Sequence, residues 1–235
     1  MFESPVIDER IKEIAPGFRA MSIHVDATNA GEGSLHTGLL TDACDYVLRG
    51  GPAWADAHLT SWADAHLTSW ADAYTRFGAK PNRTPCSAQA LRKRVLKDGM
   101  MPSINPIVDL YNAVSLKYAI PVGGENYDAY AGRPLLTVAD GRERFETVMN
   151  GEVVIENPLP GEVIWRDDAG VTCRRWNWRQ GTRTRLDATD RRMWFVLESL
   201  ETMPVGALAE ASDMLVEGLN TLMPDCLVFA QRIAV

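Results

Sequence analysis

The chain has no cysteine pair spaced for a metal: Cys44, Cys86, Cys173 and Cys226 stand tens of residues apart. That spacing excludes a zinc ribbon. Histidine is scarce, with four in all, and no His-Glu-x-x-His occurs. Glycine is plentiful enough, yet it forms neither Gly-x-Gly-x-x-Gly nor Gly-x-x-x-x-Gly-Lys-Ser/Thr, so the usual dinucleotide and phosphate loops are missing. No serine occupies a Gly-x-Ser-x-Gly elbow, and no cysteine has a histidine close by in sequence. Nucleophilic and metal catalysis are both unsupported, and neither a metal nor a cofactor is expected. No apolar run approaches the ~20 residues of a membrane span. The opening MFESPVIDERIKEI carries acids and no apolar core before Lys12, unlike a secretory signal. The expectation is a soluble cytoplasmic protein with reduced thiols.

What is present is ordinary for a globular chain. The 235 residues are 46% hydrophobic and 23% charged, which suits one domain over 1–235. The net charge of -7 argues against a polyanionic partner, but its distribution argues the other way. Between Arg76 and Lys97 lie seven basic residues (Arg76, Lys80, Arg83, Arg92, Lys93, Arg94, Lys97) and no acid. Between Arg174 and Arg192 lie seven arginines against Asp187 and Asp190. Either these segments build one phosphate-facing surface on an acidic body, or they are two solvated faces.

Periodicity predicts a short helix at Asp8–Ile14, a strand at Phe18–Ala27 and a Gly- and Asn-rich loop at Thr28–Ser34. From about Leu35 to Asp98 the pattern is helical. Pro52 falls near the first turn of a second helix that Gly78 and Pro81 close. Inside it WADAHLTS at 54–61 recurs identically at 62–69, and a partial copy starts at Trp70. Eight residues turn a helix about 80° beyond two full turns. The copies therefore cannot share one buried face, and Trp54 or Trp62 is expected in solvent. His58 and His66, copies of each other, are expected to face solvent too; His24 and His36 read as structural.

Ser87 is placed to cap a helix running to Lys97, with Leu91 and Val95 inward. Ile104–Ile120 reads as a helix buried on one side. From Pro134 onward short strands follow: Leu135–Val138, Val153–Glu156, Glu162–Arg166, Val171–Trp178 and Met193–Glu198. A helix from Pro204 to about Leu222 leads into an edge strand, Cys226–Ile233. Helices first and strands later describe an α+β fold.

Two polar clusters stand out. Asn105, Asp109, Asn112 and Ser115 make a stripe on the Ile104–Ile120 helix, which runs into the loop Pro121-Val122-Gly123-Gly124-Glu125. Asn and Asp are poor helix-interior residues, so the stripe needs partners: neighbouring loop backbone, or a ligand. The second cluster is RRWNWRQGTRT, Arg174–Thr184. On a strand, Trp176 and Trp178 alternate with Asn177 and Arg179, giving either a core-facing tryptophan pair or a surface for stacking on unpaired bases.

The run from Met101 to Gly124 resembles the tRNA-binding editing domain of the phenylalanyl-tRNA synthetase beta subunit. The whole chain resembles free-standing relatives of that domain more closely. The shared features are a Trp-containing helix, the Pro85-Cys86-Ser87 to Arg94 helix start, the Asn-Pro-x-Val-Asp-x-x-Asn helix and the Trp-Asn-Trp-Arg strand followed by threonine. They cover about residues 30–200. The resemblance implies an α+β fold with an unusual β-sandwich flanked by helices. In the synthetase the domain hydrolyses tyrosine wrongly esterified to tRNA for phenylalanine. Here Gly123 replaces a histidine of the synthetase turn, and Trp178–Thr182 replaces a segment whose acid reads the tyrosine hydroxyl. A pocket that selects by bonding a hydroxyl loses that preference with its acceptor, so tyrosine specificity is not carried over.

An aminoacyl ester is already activated, so its hydrolysis needs a placed water and an oxyanion donor more than a nucleophile. The resemblance implies hydrolysis of mischarged aminoacyl-tRNA in trans. Asn112 and Asp109 would shape one wall, Gly123 and Gly124 would offer backbone N–H groups, and Asn177, Arg179 and Thr184 would face them. Arg92, Lys93, Arg94, Lys97, Arg174, Arg175, Arg183 and Arg185, with Trp176 and Trp178, would hold the aminoacylated 3′ end of a tRNA. A tRNA-binding module without catalysis, and an amino-acid or small-molecule binding protein, remain the alternatives.

Overall fold

The computed structural model describes residues 2–27, 38–49 and 62–234. Its strands are β1 (Val6–Ile7), β2 (Arg19–Asp26), β3 (Val122–Asn126), β4 (Leu135–Val138), β5 (Phe145–Met149), β6 (Glu152–Glu156), β7 (Val163–Arg166), β8 (Val171–Arg174), β9 (Arg179–Gln180), β10 (Arg192–Ser199) and β11 (Leu227–Ala234). Its helices are α1 (Ile11–Ile14), α2 (Leu39–Leu48), α3 (Ala63–Arg76), α4 (Ser87–Asp98), α5 (Pro106–Tyr118) and α6 (Val205–Leu222). The fold is α+β, as expected. One sheet is four-stranded and antiparallel in the order β11-β2-β10-β3. The other runs β1-β4-β7-β8-β5-β6, with β9 paired to β8.

Strand β10 explains how the layers meet. Met193 to Ser199 are all buried, so the strand is covered on both faces, as its near-continuous apolar run requires. On one face Trp194 meets Trp165 of β7 edge-on, with ring centroids 5.2 Å apart. That contact packs the two sheets together. α6, whose buried residues include Ala207, Leu208, Ala211, Leu215 and Leu219, packs against β2, β10 and α5.

α5 is set by its own N-terminus. Asn105 Oδ1 accepts from Val108 N at 2.9 Å and Pro106 takes the first helical position. Asp109 reaches back to accept from Ile104 N and Ser103 Oγ, tying the residues before the cap to the first turn, and proline at the first position loses no helical hydrogen bond. Ser115 donates to Ile120 O at 2.7 Å. Most of the polar stripe therefore bonds to nearby backbone; Asn112 is the exception.

Several expectations need correction. Ser87 does not cap α4: the cap position is Cys86, and Ser87 is the first helical residue. The strand expected over Val171–Trp178 ends at Arg174, and Gly123 and Gly124 lie in β3, not in a loop. Trp62 is 7% exposed and Trp70 fully buried, Trp62 preceding the helix as its N-cap, so the expectation that Trp54 or Trp62 faces solvent rests on Trp54 alone. Trp54, His58, His36 and the loop at 28–34 lie outside the described residues, as does Pro52.

His66 is the clearest reversal. It is fully buried, its Nδ1 donates to Ala119 O at 3.0 Å, and its Nε2 accepts from both Trp70 Nε1 and Leu200 N at 3.1 Å. Two donors on Nε2 fix the proton on Nδ1. The ring thus joins α3 to the end of α5 and to the residue after β10. Burial lowers its pKa to about 4. A base with a depressed pKa stabilises the fold above its unfolded value near 6.5, and that contribution is lost as pH falls toward 4. His66→Leu is expected to cost about 2–4 kcal/mol by orphaning buried groups, and to flatten the loss of urea resistance between pH 6.5 and 4.

Candidate functional site

Between the two sheets, and closed on one side by α4 and α5, lies a cavity of about 270 Å³. α4 contributes Ser87, Ala90 and Leu91; α5 contributes Tyr111 and Asn112; β3 contributes Val122 to Glu125. Val196 and Glu198 of β10, Trp165 and Cys173 of the other sheet, and Trp176, Asn177, Trp178 and Gln180 complete it. Asn112 and Trp178, far apart in sequence, thus line one space.

The segment Arg175–Trp178 between β8 and β9 is held in an uncommon shape. Arg175 and Trp176 both have positive φ, 46° and 65°, which is rare for a bulky residue and costs on the order of 1–3 kcal/mol each. Packing and hydrogen bonds offset this. Trp176 N donates to Val163 O at 2.6 Å, and its ring is fully buried against Phe18 and Trp70. Its Nε1 donates to Glu198 Oε1 at 2.8 Å.

Glu198 organises this wall. Oε1 also accepts from Trp165 Nε1 at 2.9 Å, and Oε2 accepts from Asn177 Nδ2 at 2.8 Å. Asn177 Oδ1 in turn accepts from Tyr74 Oη at 2.9 Å and Ser87 N at 3.2 Å. The asparagine amide is therefore a tie between α3, α4 and β10. Burial pushes the Glu198 pKa up to about 7 against these donors.

Glu125 is the second buried acid on the cavity. Its Oε2 accepts from Tyr130 Oη at 3.0 Å. Burial pushes its pKa up to about 7 as well, with Tyr130 and Arg183 among the groups opposing the rise. A carboxylic acid near pKa 7 can gain or lose a proton at neutral pH. By contrast, burial holds the Cys173 thiol well above its ordinary pKa, which leaves it a poor nucleophile.

Three groups remain open in the cavity. Ser87 Oγ is buried without a partner, and the side-chain amide of Asn112, a residue 7% exposed, makes no hydrogen bond to another described residue. In β3, Pro121 O accepts from Glu198 N on the β10 side, while Asn126 N donates to Thr184 O on the other. Strand alternation therefore turns the N–H and C=O of Gly124 away from β10. Its C=O accepts from Gln180 Nε2 at 2.9 Å. A Cβ on Gly124 would lie 2.8–2.9 Å from Leu186, Phe195 and Tyr111 side-chain carbons, so only glycine fits. Gly123 N–H points into the ladder instead, which corrects the expectation that both glycines offer donors.

The family comparison bears on these same elements. The B3/4 domain family matches residues 69–214, which takes in α4, α5, β3, β10 and every residue of the cavity. The chain belongs to the B3/4 domain family. A structural comparison finds likeness to an N-terminal fragment of the phenylalanyl-tRNA synthetase beta subunit from Pyrococcus horikoshii, at 10% identity and a TM-score of 0.45. It covers 100% of this chain and 57% of that one, so the chain spans little more than half its length. No curated protein matches the chain.

In this B3/4 domain the other expected catalytic residues fall outside the cavity. Asp109 is spent on the start of α5, Arg179 lies 3.8 Å from Glu156, and Thr184 is fully buried behind Glu125. The basic residues divide sharply. Arg174 is buried, with Nε and Nη2 each 2.9 Å from Glu162 and Nη1 2.7 Å from Glu156. Arg183 pairs with Asp167, and Trp176 has no face left for a base. These three correct the expected RNA surface, because their charge or ring is consumed internally. Arg92 bonds Asp64 and Arg94 lies 3.9 Å from Asp98. Lys93, Lys97 and Arg185 are exposed. Trp178 lines the cavity with the Arg175 guanidinium 4.6 Å and the Arg179 guanidinium 6.0 Å from its ring centroid.

Glu125 and Glu198 were not singled out in sequence, although each leaves a trace there. Glu198 is the one charge in the apolar run Met193–Glu198, and Glu125 follows two glycines at a strand edge. Among the described residues, no helix is long and apolar enough to cross a membrane.

Proposed function

We propose that this B3/4 domain hydrolyses the ester of a mischarged aminoacyl-tRNA in trans. The observation that carries the reading is the open Asn112 amide in a cavity that also holds Gly124 N–H and the Glu125 carboxyl. Buried polar atoms without a partner are rare in folded proteins; Ser87 Oγ is one on this same cavity, and with the Asn112 amide it stands where a ligand would supply the bonds. In the reaction Glu125 takes a proton from water as the water oxygen bonds to the ester carbonyl carbon. Gly124 N–H and Asn112 Nδ2 receive the developing oxyanion. Collapse breaks the bond to the ribose oxygen, which leaves with the proton that Glu125 returns. Glu198 and Asn177 are positioning residues that hold the far wall. Trp178, flanked by two guanidiniums, suits a base stacked at the rim.

The test is single-turnover deacylation over a panel of mischarged tRNAs. The expected result is cleavage of at least one ester well above buffer, reduced by about 10²-fold in Asn112→Ala, the scale seen when an oxyanion donor is removed. No cleavage of any member would defeat the reading. Salt-sensitive tRNA binding without cleavage would favour a binding module instead.

A further inference from the structure

A second recess lies behind Trp178, and nothing in the catalytic reading uses it. It encloses about 330 Å³ and is lined by Phe77, Gly78, Ala79, Lys80, Arg83, Thr84, Leu159, Glu162 and Arg175. We infer that the Lys80–Arg83–Arg175 recess binds a backbone phosphate of the single-stranded RNA end whose terminal residue enters the cavity. The nature of the strand rests on the proposed function; the anion site rests on the following geometry.

The charge in this recess is available. Lys80 and Arg83 are exposed and form no ion pair among the described residues. Glu162, the acid in the lining, is already saturated: Arg174 binds both its oxygens, and Arg175 N and Leu159 N donate to it as well. Its charge is offset from behind by Arg174, which Glu156 shares, and by Arg175, whose Nε lies 3.7 Å from Glu162 Oε2, so the positive field left facing outward is that of Lys80 and Arg83. The carbonyl end of α3 would oppose an anion, but Phe77, Gly78 and Ala79 N–H groups cap Ala73, Thr75 and Tyr74 O.

Arg175 ties this recess to the catalytic cavity. Its guanidinium lines the recess and lies over Trp178, whose ring lines the cavity. A base stacked on Trp178 therefore places its own backbone toward Lys80 and Arg83. Phosphate contacts position a strand without reading its sequence, which is what a hydrolase acting at a strand terminus needs.

The experiment is fluorescence anisotropy with a labelled single-stranded RNA trimer across a salt series, with inorganic pyrophosphate as competitor. Lys80→Ala/Arg83→Ala is compared with Lys12→Ala/Arg142→Ala, two exposed basic residues elsewhere. The expected result is a salt slope lower by about 0.7 for the first pair, the value for one phosphate on a single strand. Affinity should fall about tenfold or more, with no change for the second pair. Trp178→Ala should weaken the trimer by a further factor of about ten and leave pyrophosphate binding intact. Equal slopes and affinities for the two pairs would overturn the inference. Pyrophosphate binding without trimer binding would overturn its nucleic-acid part. Trimer binding through Lys80 and Arg83 with no ester cleavage would uphold the site and defeat only the hydrolysis.

Discussion

Glu125→Gln is expected to slow ester hydrolysis by about 10²–10⁴-fold, the usual worth of a placed general base. Glutamine keeps the volume and an oxygen for Tyr130, so the fold and RNA binding should persist. The pH profile gives the sharper signature. Burial puts the Glu125 pKa at about 7, and only the carboxylate can accept a proton from water. The wild-type rate should climb as pH rises through about 7 and then level off. The residual rate of Glu125→Gln should lack that inflection. An unchanged rate in the variant, or a wild-type profile flat from pH 5.5 to 8.5, would remove Glu125 from the reaction.

Glu198→Leu is expected to have the largest effect on stability. It strands Trp165 Nε1, Trp176 Nε1 and Asn177 Nδ2 in a buried wall. Each unpaired group costs about 1–3 kcal/mol, so the loss is on the order of 5 kcal/mol. For a chain of this size that lowers Tm by more than about 10 °C. Two consecutive left-handed residues at Arg175 and Trp176 also lose the anchor that compensates them. Glu198→Gln should be milder and should change the pH response. A carboxyl whose folded pKa is raised binds its proton more tightly in the fold than in the unfolded chain. Its contribution is full below about pH 4.5 and is lost as pH rises through 7, on the order of 3 kcal/mol. His66 acts in the opposite sense between pH 6.5 and 4, so the urea midpoints are best read as wild type minus variant. That difference should grow as pH falls from 7 to 4.5. A constant difference would mean that Glu198 is already ionised in the fold.

Much of the architecture was legible because local chemistry and tertiary structure agree. The apolar spacing of Ile104–Ile120 produced α5, although Asn105, read as part of a polar stripe, is its cap and Pro106 its first residue. The alternation of 18–27 produced β2. The failures come where tertiary contacts override local preference. No propensity places Arg175 and Trp176 at positive φ; the hydrogen bond from Trp176 to Glu198 and the indole's burial do that, and they turn an expected strand into a tight connection. His66 looked like a solvent residue because its duplicate is eight positions away. Its function in the fold depends on Ala119 and Leu200, which helical spacing cannot reveal.

The site was half visible for the same reason. Asn112, Gly124, Asn177 and Trp178 are unusual for their local setting, and that unusualness marked them. Arg174 and Arg183 carried the same positive charge in sequence as Lys80 and Arg83. Only the fold distinguishes them, by bringing Glu162 and Asp167 against the first two. Glu125 and Glu198 gain their chemistry wholly from burial, which a sequence position does not display.

The central claim is that the aminoacyl group lies between α5 and the Arg175–Trp178 turn. Its most direct test is a crystal structure with a non-hydrolysable 3′-aminoacylamino-3′-deoxyadenosine. The amide carbonyl oxygen is expected within hydrogen-bond reach of Gly124 N and Asn112 Nδ2, with adenine on Trp178. Analogue bound elsewhere on the molecule, with the Asn112 amide still unpartnered, would contradict it.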